Sequence, residues 1–299
     1  MLRLGLTGYP LGHSLSPQLH EAALDAMGLE GSYRLYPVHP DETGSRGLSE
    51  LCIALRRGDI HGLNVTIPHK RALLPYIDAL TPTAQAVGAV NTLFLDGQRL
   101  CGDNTDAPGF LMDLAHKAGW SGGIPQQVMQ PTAWVLGAGG SARAVAYSLA
   151  QAGWRVVVMA RRLAQARELV EALAPFVDPS YLSVQLLARD TLSSLEARPS
   201  LLVNTTPLGM HPQVESCPWP EGLRLPDNTF VYDLVYNPAM TVLVRKALNA
   251  GLRAHTGLGM LVEQAALSLE RWTGSSVPRE AMWKAVQALL STSVQDRHP

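Results

Sequence analysis

The chain has 299 residues, 46% of them hydrophobic, and its 24 basic residues nearly balance 25 acidic ones, for a net charge of −1. That length suffices for two domains of ordinary size. The near-neutral charge implies no strongly basic face, so neither nucleic acid nor an anionic membrane is an expected partner, and no apolar run reaches membrane-spanning length.

Strand and helix patterns alternate throughout, which predicts an α/β fold. Residues 2–7 read as a strand, and 17–27 as a helix stopped by Gly28. A strand at 33–38, a helix at 45–57 and a strand at 62–67 follow, and Pro68 opens a further helix. Residues 90–95 form a strand ending at the turn Asp96-Gly97, and a helix runs from Asp106 to about Lys117. The stretch 119–131, rich in Gly, Pro, Gln and Ser and without periodicity, reads as a loop and as the marker of a domain boundary.

From Thr132 the pattern becomes strand, helix 141–152, strand 155–159, then strands at 183–187, 201–204 and 230–235. A helix at 241–249 ends at Gly251, a short strand lies near Arg253, and helices at 261–272 and 278–290 close the chain, with a frayed tail after Ser291. The expected organisation is a substrate-binding α/β domain over 1–112, to which 256–299 returns, and a Rossmann-type domain over 113–255. Cys52, Cys101 and Cys217 lie far apart without a CxxC pair, and no signal peptide opens the chain, so free thiols in a reducing cytoplasm are expected. The nine histidines lack metal-ligand spacing, and no metal site is expected.

The strongest chemical motif is 135–144. Gly137 suits a tight turn, Gly139 lets backbone N–H groups approach a pyrophosphate, and Ala142 permits close packing of helix on strand. The segment thus fits the G-x-G-x-x-G/A dinucleotide fingerprint in its strand–turn–helix setting. The next strand ends in Ala160-Arg161-Arg162, where an NAD site would place Asp or Glu against the ribose. Two guanidiniums there suit a 2′-phosphate, so NADP is the expected cofactor. The plain alternative is that both arginines merely open a solvated helix.

Other motifs sit where a strand hands over to a helix. In 8–17, Ser16 before Pro17 reads as an N-cap, whereas Ser14 is not called for by capping; together the two hydroxyls could grip a carboxylate at a helix N-terminus. In 64–70, Asn64 and Thr66 share one strand face, and Thr66 and Lys70 fall beyond the carboxyl end of that strand, where open α/β sheets bind ligands. A solvated surface lysine is the ordinary alternative for Lys70. Asn91 lies on another strand; Asp103 and Asp106 flank a helix start and could be a turn residue and a cap. Residues 204–210 follow a Rossmann strand, where a nicotinamide should lie, and 257–264 form a glycine-hinged entry to a helix in which Gln264 could be a plain surface residue.

Taken together and in order, these segments resemble the shikimate dehydrogenase family over nearly the whole chain. Residues 8–17 resemble its carboxylate loop, 64–70 its catalytic lysine segment, 88–92 its Ala-Val-Asn-Thr strand and 102–109 its G-D-N-T-D-x-x-G motif; 137–142, 204–210, 233–238 and 257–264 complete the set. The resemblance implies NADP-dependent interconversion of 3-dehydroshikimate and shikimate, in aromatic amino acid biosynthesis, by a monomer or homodimer. It implies Lys70 and Asp106 as the catalytic pair, with Ser14, Ser16, Thr66, Asn91, Tyr236 and Gln264 also holding the substrate. It further implies Gly137, Ala138, Gly139, Gly140, Ser141, Ala160, Arg161, Arg162, Leu234 and Gly257 along the cofactor. Three departures stand out. Ala160 replaces the asparagine of a common Asn-Arg-Thr, Pro82 stands where some members carry an acidic residue, and Thr206-Pro207-Leu208 interrupts a usually serine-rich segment.

The residue chemistry suits that reaction independently, because oxidising a secondary alcohol requires a group to take the hydroxyl proton, and a lysine beside a carboxylate can do so as a unit. Competing readings are a quinate/shikimate dehydrogenase using NAD, a methylenetetrahydrofolate dehydrogenase, and a non-catalytic NADP-binding sensor. The missing acid after Met159 argues against the first, Ser14-x-Ser16 and 102–106 against the second, and retention of both Lys70 and Asp106 against the third.

Overall fold

The computed structural model describes residues 1–41, 44–126, 128–195 and 198–295. The chain divides into two compact units, Met1–Thr105 with Val262–Pro299, and Asp106–Leu261. In the first unit the chain forms β1 (Leu2–Gly8), α1 (Ser16–Ala26), β2 (Gly31–Pro37), α2 (Gly44–Arg56), β3 (Gly62–Val65), β4 (Ala79–Leu80), α3 (Pro82–Val87), β5 (Thr92–Asp96) and β6 (Arg99–Asp103). The second holds α4 (Asp106–Ala118), β7 (Thr132–Leu136), α5 (Gly140–Gln151), β8 (Arg155–Ala160), α6 (Leu163–Leu173), β9 (Leu182–Leu186) and α7 (Arg189–Ser194). It continues with β10 (Leu201–Asn204), β11 (Phe230–Asp233), α8 (Val242–Asn249) and β12 (Ala254–Thr256). Helix α9 (Leu258–Thr273) begins in the second unit and carries the chain back to the first, where α10 (Arg279–Gln295) follows.

The sheet of the first unit has the order β2-β1-β3-β5-β6-β4. Strand β1 is parallel to β2 and β3, while β5 runs antiparallel to β3 and β6. Residues 4–8 of β1 are buried without interruption, as expected of a strand covered on both faces. On one side lies α2, whose Leu48, Leu51, Cys52 and Leu55 recur at helical spacing and pack with Leu63, Val65, Leu93 and Leu100. On α1, Leu19, His20, Ala23 and Leu24 are buried in the same fashion. His20 is fully buried: its Nδ1–H donates to the Ser16 carbonyl at 2.9 Å, its ring stacks on Tyr33 at 4.1 Å, and its Nε2 has no hydrogen-bond partner among the described residues. Burial lowers its pKa to about 4.

The second unit has an all-parallel sheet of order β12-β11-β10-β7-β8-β9, which is the doubly wound Rossmann order. Alternation along β7 divides two cores. Ala133 and Val135 join Phe110 and Leu114 of α4, Val145 and Leu149 of α5, and Val156 and Val158 of β8. Trp134 and Leu136 join Met159, Leu202, Val231 and Leu243 on the opposite face. Among the described residues, no helix is long and apolar enough to cross a membrane.

Several sequence expectations shift. No α-helix follows Pro68; residues 67–73 are turns that end in a 3₁₀ turn at Leu74–Tyr76. The Lys70 carbonyl accepts the Val90 N–H at 2.8 Å and is thereby spent outside any helix. The short elements β4, α3 and β6 carry too few residues for periodicity to reveal. Asn91 stands one residue before β5 rather than on it. The division between units falls at 105/106 and 261/262 instead of 112/113 and 255/256, because all of α4 packs on α5 through Phe110, Leu114 and Ala118. The closing helix continues past Ser291 to Gln295, and the rest of the expected frayed tail, 296–299, lies outside the described residues.

The start of α9 is anchored to a buried carboxylate. Tyr232 donates its hydroxyl to Asp113 at 2.5 Å, and a Cβ on Gly259 would overlap that same carboxylate. Gly259→Ala therefore overpacks the site and should destabilise the fold by about 1–3 kcal/mol, measured by urea unfolding. A parent-like midpoint would show that Asp113 moves aside freely.

His20 yields a pH prediction. Its folded pKa, about 4, lies below the unfolded value near 6.5. The unfolded chain therefore binds the proton first, and the stability present above pH 6.5 is lost as pH falls toward 4, by about 3 kcal/mol. His20→Phe should lack this part of the acid limb in unfolding experiments at pH 7, 5.5 and 4; an unchanged slope would refute it.

Candidate functional site

In the first unit the polar motifs gather at the carboxyl ends of β1 and β3, just ahead of β5 and on α9. Tyr9 N–H donates to the Ile67 carbonyl at 2.9 Å, which brings the 8–17 loop against the 64–70 segment. Thr66 is half-buried just past the end of β3, and its N–H donates to Thr7 at 2.8 Å. His69 is buried and donates Nε2–H to the Val38 carbonyl at 2.7 Å, fixing the turn that carries the half-buried Lys70.

Ser16 does not cap α1. It is the first residue of the helix, Leu15 occupies the cap without a side-chain bond, and the Ser14 hydroxyl accepts the Ser16 N–H at 3.3 Å. Buried Ser16 instead hydrogen-bonds the Tyr33 hydroxyl, whose pKa burial pushes well above the ordinary phenol value. The Leu19 N–H donates to the Leu15 carbonyl at 3.1 Å, so the helix begins one residue earlier than a Ser16 cap would require.

From Tyr33 the bonding continues without a break. Its hydroxyl donates to Asn64 Oδ1 at 2.8 Å, and Asn64 Nδ2 donates to the Asn91 carbonyl, Thr92 Oγ1 and Ser268 Oγ at 3.0, 3.2 and 2.9 Å. Asn91 Nδ2 donates to Thr105 Oγ1 at 2.8 Å and to Gln264 Oε1 at 3.3 Å, while its Oδ1 accepts the Thr105 N–H at 2.8 Å. The structure thus brings Ser14, Ser16, Thr66, Lys70, Asn91 and Gln264 into one neighbourhood of the first unit. The sequence reading missed Tyr33 and Ser268, whose partners lie 31 and 204 residues away.

The 103–106 segment is divided by role. Asp103 accepts from Thr81 Oγ1 at 2.6 Å, the Asn104 N–H at 2.8 Å and Arg271 Nη2 at 2.8 Å, and Asn104 Nδ2 donates to the Ala89 carbonyl at 2.9 Å. Asp103 is thus a turn residue held by an arginine from α9. Asp106 follows directly on Thr105, is buried, and opens α4 as its first residue rather than as a preceding cap.

The second unit presents a different kind of surface. The carboxyl ends of adjacent strands are stitched together: Gly137 N–H donates to Met159, Thr205 N–H to Leu136 and Leu234 N–H to Asn204, at 2.8, 2.9 and 2.9 Å. Gly137 has φ +118°, and a Cβ there would collide with Thr205 Oγ1. Gly139 is the N-cap of α5 with nothing within 4 Å of where a Cβ would project. Ala138, Gly140 and Ser141 complete the turn, all partly exposed. Open backbone at a helix N-terminus, at the point where strand order reverses between β7 and β10, is the cradle a dinucleotide pyrophosphate requires. Ala160 is buried at the end of β8, whereas Arg161 and Arg162 follow it exposed, and Arg162 Nε donates to Gln165 at 3.1 Å. These residues fit a 2′-phosphorylated dinucleotide. Gly257 packs flush on the Leu234 carbonyl, where any Cβ would overlap it, and Tyr236 is half-buried two residues beyond Leu234.

Thr206 is used locally: its N–H and hydroxyl both donate to Asn204 Oδ1, at 2.9 and 2.7 Å. Among the described residues, no three His, Cys, Asp or Glu side chains are grouped as a metal site.

This arrangement has close counterparts. A family model described as the shikimate dehydrogenase substrate binding domain matches residues 6–93, and one described as the shikimate 5′-dehydrogenase C-terminal domain matches 257–287. Shikimate dehydrogenase (NADP(+)) of Salinibacter ruber is 41% identical, covering 95% of this chain and 96% of that protein; the Synechocystis protein of the same name is 38% identical, covering 97% and 96%. The crystal structure of shikimate 5-dehydrogenase from Thermus thermophilus in complex with NADP(H) and shikimate superposes with a TM-score of 0.80 at 39% identity, covering 96% of this chain and 99% of that one. Sequence and fold agree over essentially the full length, and the chain belongs to the shikimate dehydrogenase family.

Proposed function

We propose that the chain catalyses the NADP-dependent interconversion of 3-dehydroshikimate and shikimate, as a step in aromatic amino acid biosynthesis. The observation that carries this reading is the polar neighbourhood of the first unit, in which Ser14, Ser16, Thr66, Lys70, Asn91 and Gln264 converge on the carboxyl ends of β1 and β3. It is rich in hydroxyl and amide groups and matches a small polyhydroxylated acid. Ser14 and Ser16 hold the carboxylate beside the N-terminus of α1, and Thr66, Asn91, Tyr236 and Gln264 hold the ring hydroxyls. The same reading has the chain working in the cytoplasm as a monomer or homodimer without nucleic acid, in keeping with its three free thiols.

NADP, when bound, supplies the hydride acceptor for the alcohol carbon, and NADPH the donor in reverse. Gly137 to Ser141 receive its pyrophosphate, Ala160 to Arg162 line its adenosine end, with Arg161 and Arg162 on the 2′-phosphate, and Leu234 and Gly257 border the nicotinamide side. Lys70 and Asp106 handle the proton. During oxidation the pair removes it from the reacting hydroxyl; during reduction Lys70 returns it to the developing alkoxide while Asp106 orients the hydroxyl and the ammonium. His69 steadies the Lys70 turn from behind through its bond to Val38.

The functional reading is tested by spectrophotometric assay of shikimate and quinate, each with NADP and NAD. Shikimate with NADP should be strongly preferred. Each charge-assisted phosphate contact is worth on the order of 1.5–3 kcal/mol, so replacing Arg161 and Arg162 by alanine should raise KM for NADP at least tenfold while changing KM for NAD little. Equal use of the two cofactors by the parent protein would defeat the assignment of the arginines.

For the proton-handling pair, Lys70→Ala and Asp106→Asn should each lower kcat by roughly 10²–10⁴-fold. The double variant should be far less impaired than the product of the single effects, because the two act as a unit. NADPH binding should survive all three changes. Near-normal turnover by Lys70→Ala at saturating shikimate would overturn the pair.

A further inference from the structure

One buried charge in the second unit has no part in the reaction just described. Asp233 ends β11 and is fully buried, with no cation bonded to it among the described residues. Its Oδ1 accepts Asn204 Nδ2 at 2.8 Å and the Val235 N–H at 3.0 Å, and its Oδ2 accepts Thr241 Oγ1 at 2.7 Å. Each donor belongs to a different piece of chain. Asn204 ends β10 and in turn binds both Thr206 and the Leu208 carbonyl. Val235 lies between Leu234 and Tyr236. Thr241 caps α8 by accepting the Val244 N–H at 3.2 Å.

A buried carboxylate is costly, and an apolar or amide side chain could fill this volume with less desolvation. Burial holds the Asp233 carboxyl up at about 6, against the lowering effect of its three donors. What a carboxylate does that the neutral residues cannot is accept three donors at once, without presenting a donor of its own. Here the three converge from the last residue of β10, the start of the loop after β11 and the cap of α8, at the carboxyl edge of the sheet on the β10–β11 side of the switch point next to the Gly137 turn. The pyrophosphate turn itself is not among its partners.

We propose that Asp233 is a positioning residue that holds loops 204–209 and 234–238 in the shape that receives the nicotinamide ring and presents Tyr236. This rests on the reading of the cofactor and substrate given above. Asp233 touches neither and performs no chemistry. It acts through Asn204 and Thr206 on one loop and through Val235 on the other, and Thr241 ties both to α8.

Asp233→Asn keeps the shape but puts an NH₂ where one acceptor was. Three measurements on the full-length protein separate the possibilities: shikimate turnover with NADP, the Kd of NADPH, and the emission of the bound dihydronicotinamide. In Asp233→Asn, kcat should fall at least tenfold and KM for shikimate should rise several-fold. The Kd of NADPH should stay within about threefold, since most of its contacts lie on the Gly137 turn and the arginines. The emission of bound NADPH should move toward that of the free cofactor.

If Asp233→Asn does not fold, Thr241→Val, which removes one donor and leaves the carboxylate, should show the same pattern in weaker form, and Thr241→Ser should recover most of the lost turnover. Parent-like kcat and emission with only a lowered Tm would overturn the proposal and leave Asp233 a support of the fold. If the parent itself fails to oxidise shikimate, the functional reading falls, and the emission of bound NADPH still decides whether Asp233 shapes the nicotinamide side.

Discussion

The first unit depends on the hydrogen bonding of one buried amide. Asn64 accepts from Tyr33 and donates toward the Asn91 carbonyl, Thr92 and Ser268, so β2, β3, the entry to β5 and α9 meet at a single side chain. A polar group this deep is tolerable only when its bonds are made, since each unmade one costs about 1–3 kcal/mol. The geometry of Ser16 and Asn91 therefore follows from Asn64, which bonds the Asn91 carbonyl directly and reaches Ser16 through Tyr33. Rigidity of this polar neighbourhood comes from the bonds made beneath its surface.

The second unit solves its problem with backbone rather than side chains. Three N–H donors from the residues beyond β7, β10 and β11 cross to carbonyls near the ends of neighbouring strands and hold the loop roots level. Above that edge, Gly137 and Gly139 keep the surface bare. The two units thus present different surfaces: dense, directional side-chain groups in one, and exposed main-chain dipole with two arginines in the other.

Much of this was legible in the sequence wherever chemistry is local. The Gly137 turn, the Arg161-Arg162 pair and the strand at Leu201–Asn204 each declare themselves within a dozen residues, because turn geometry and strand periodicity are short-range properties. Ser16 misled for the same reason: Ser before Pro reads locally as a cap, and only the distant Tyr33 draws its hydroxyl inward. The helix expected after Pro68 failed because Lys70 gives its carbonyl to Val90. Tyr33, Ser268 and Arg271 lacked any local sign, since what makes them matter is a partner on another element. The boundary at 119–131 looked like a linker by composition, yet α4, which precedes it, already packs on α5.

Helix α9 carries a consequence for how the molecule is made. Its first turn is seated on Asp113 and Tyr232 in the second unit, while Ser268, Arg271 and Trp272 serve the first, bonding Asn64, Asp103 and the Leu93 carbonyl. The unit that starts at the N-terminus is therefore the last to be finished, and the stretch 106–261, contiguous in the chain, has all its strands in hand while the ribosome is still at work. Until the segment from Val262 onward emerges, Asn64 lacks its Ser268 partner and Gly62 the Trp272 indole. Synthesis from N- to C-terminus thus runs counter to the order in which the domains can close, and a chain that stops within α9 after Leu261 keeps the whole of the second unit while the first lacks the partners of Asn64, Asp103 and the Leu93 carbonyl.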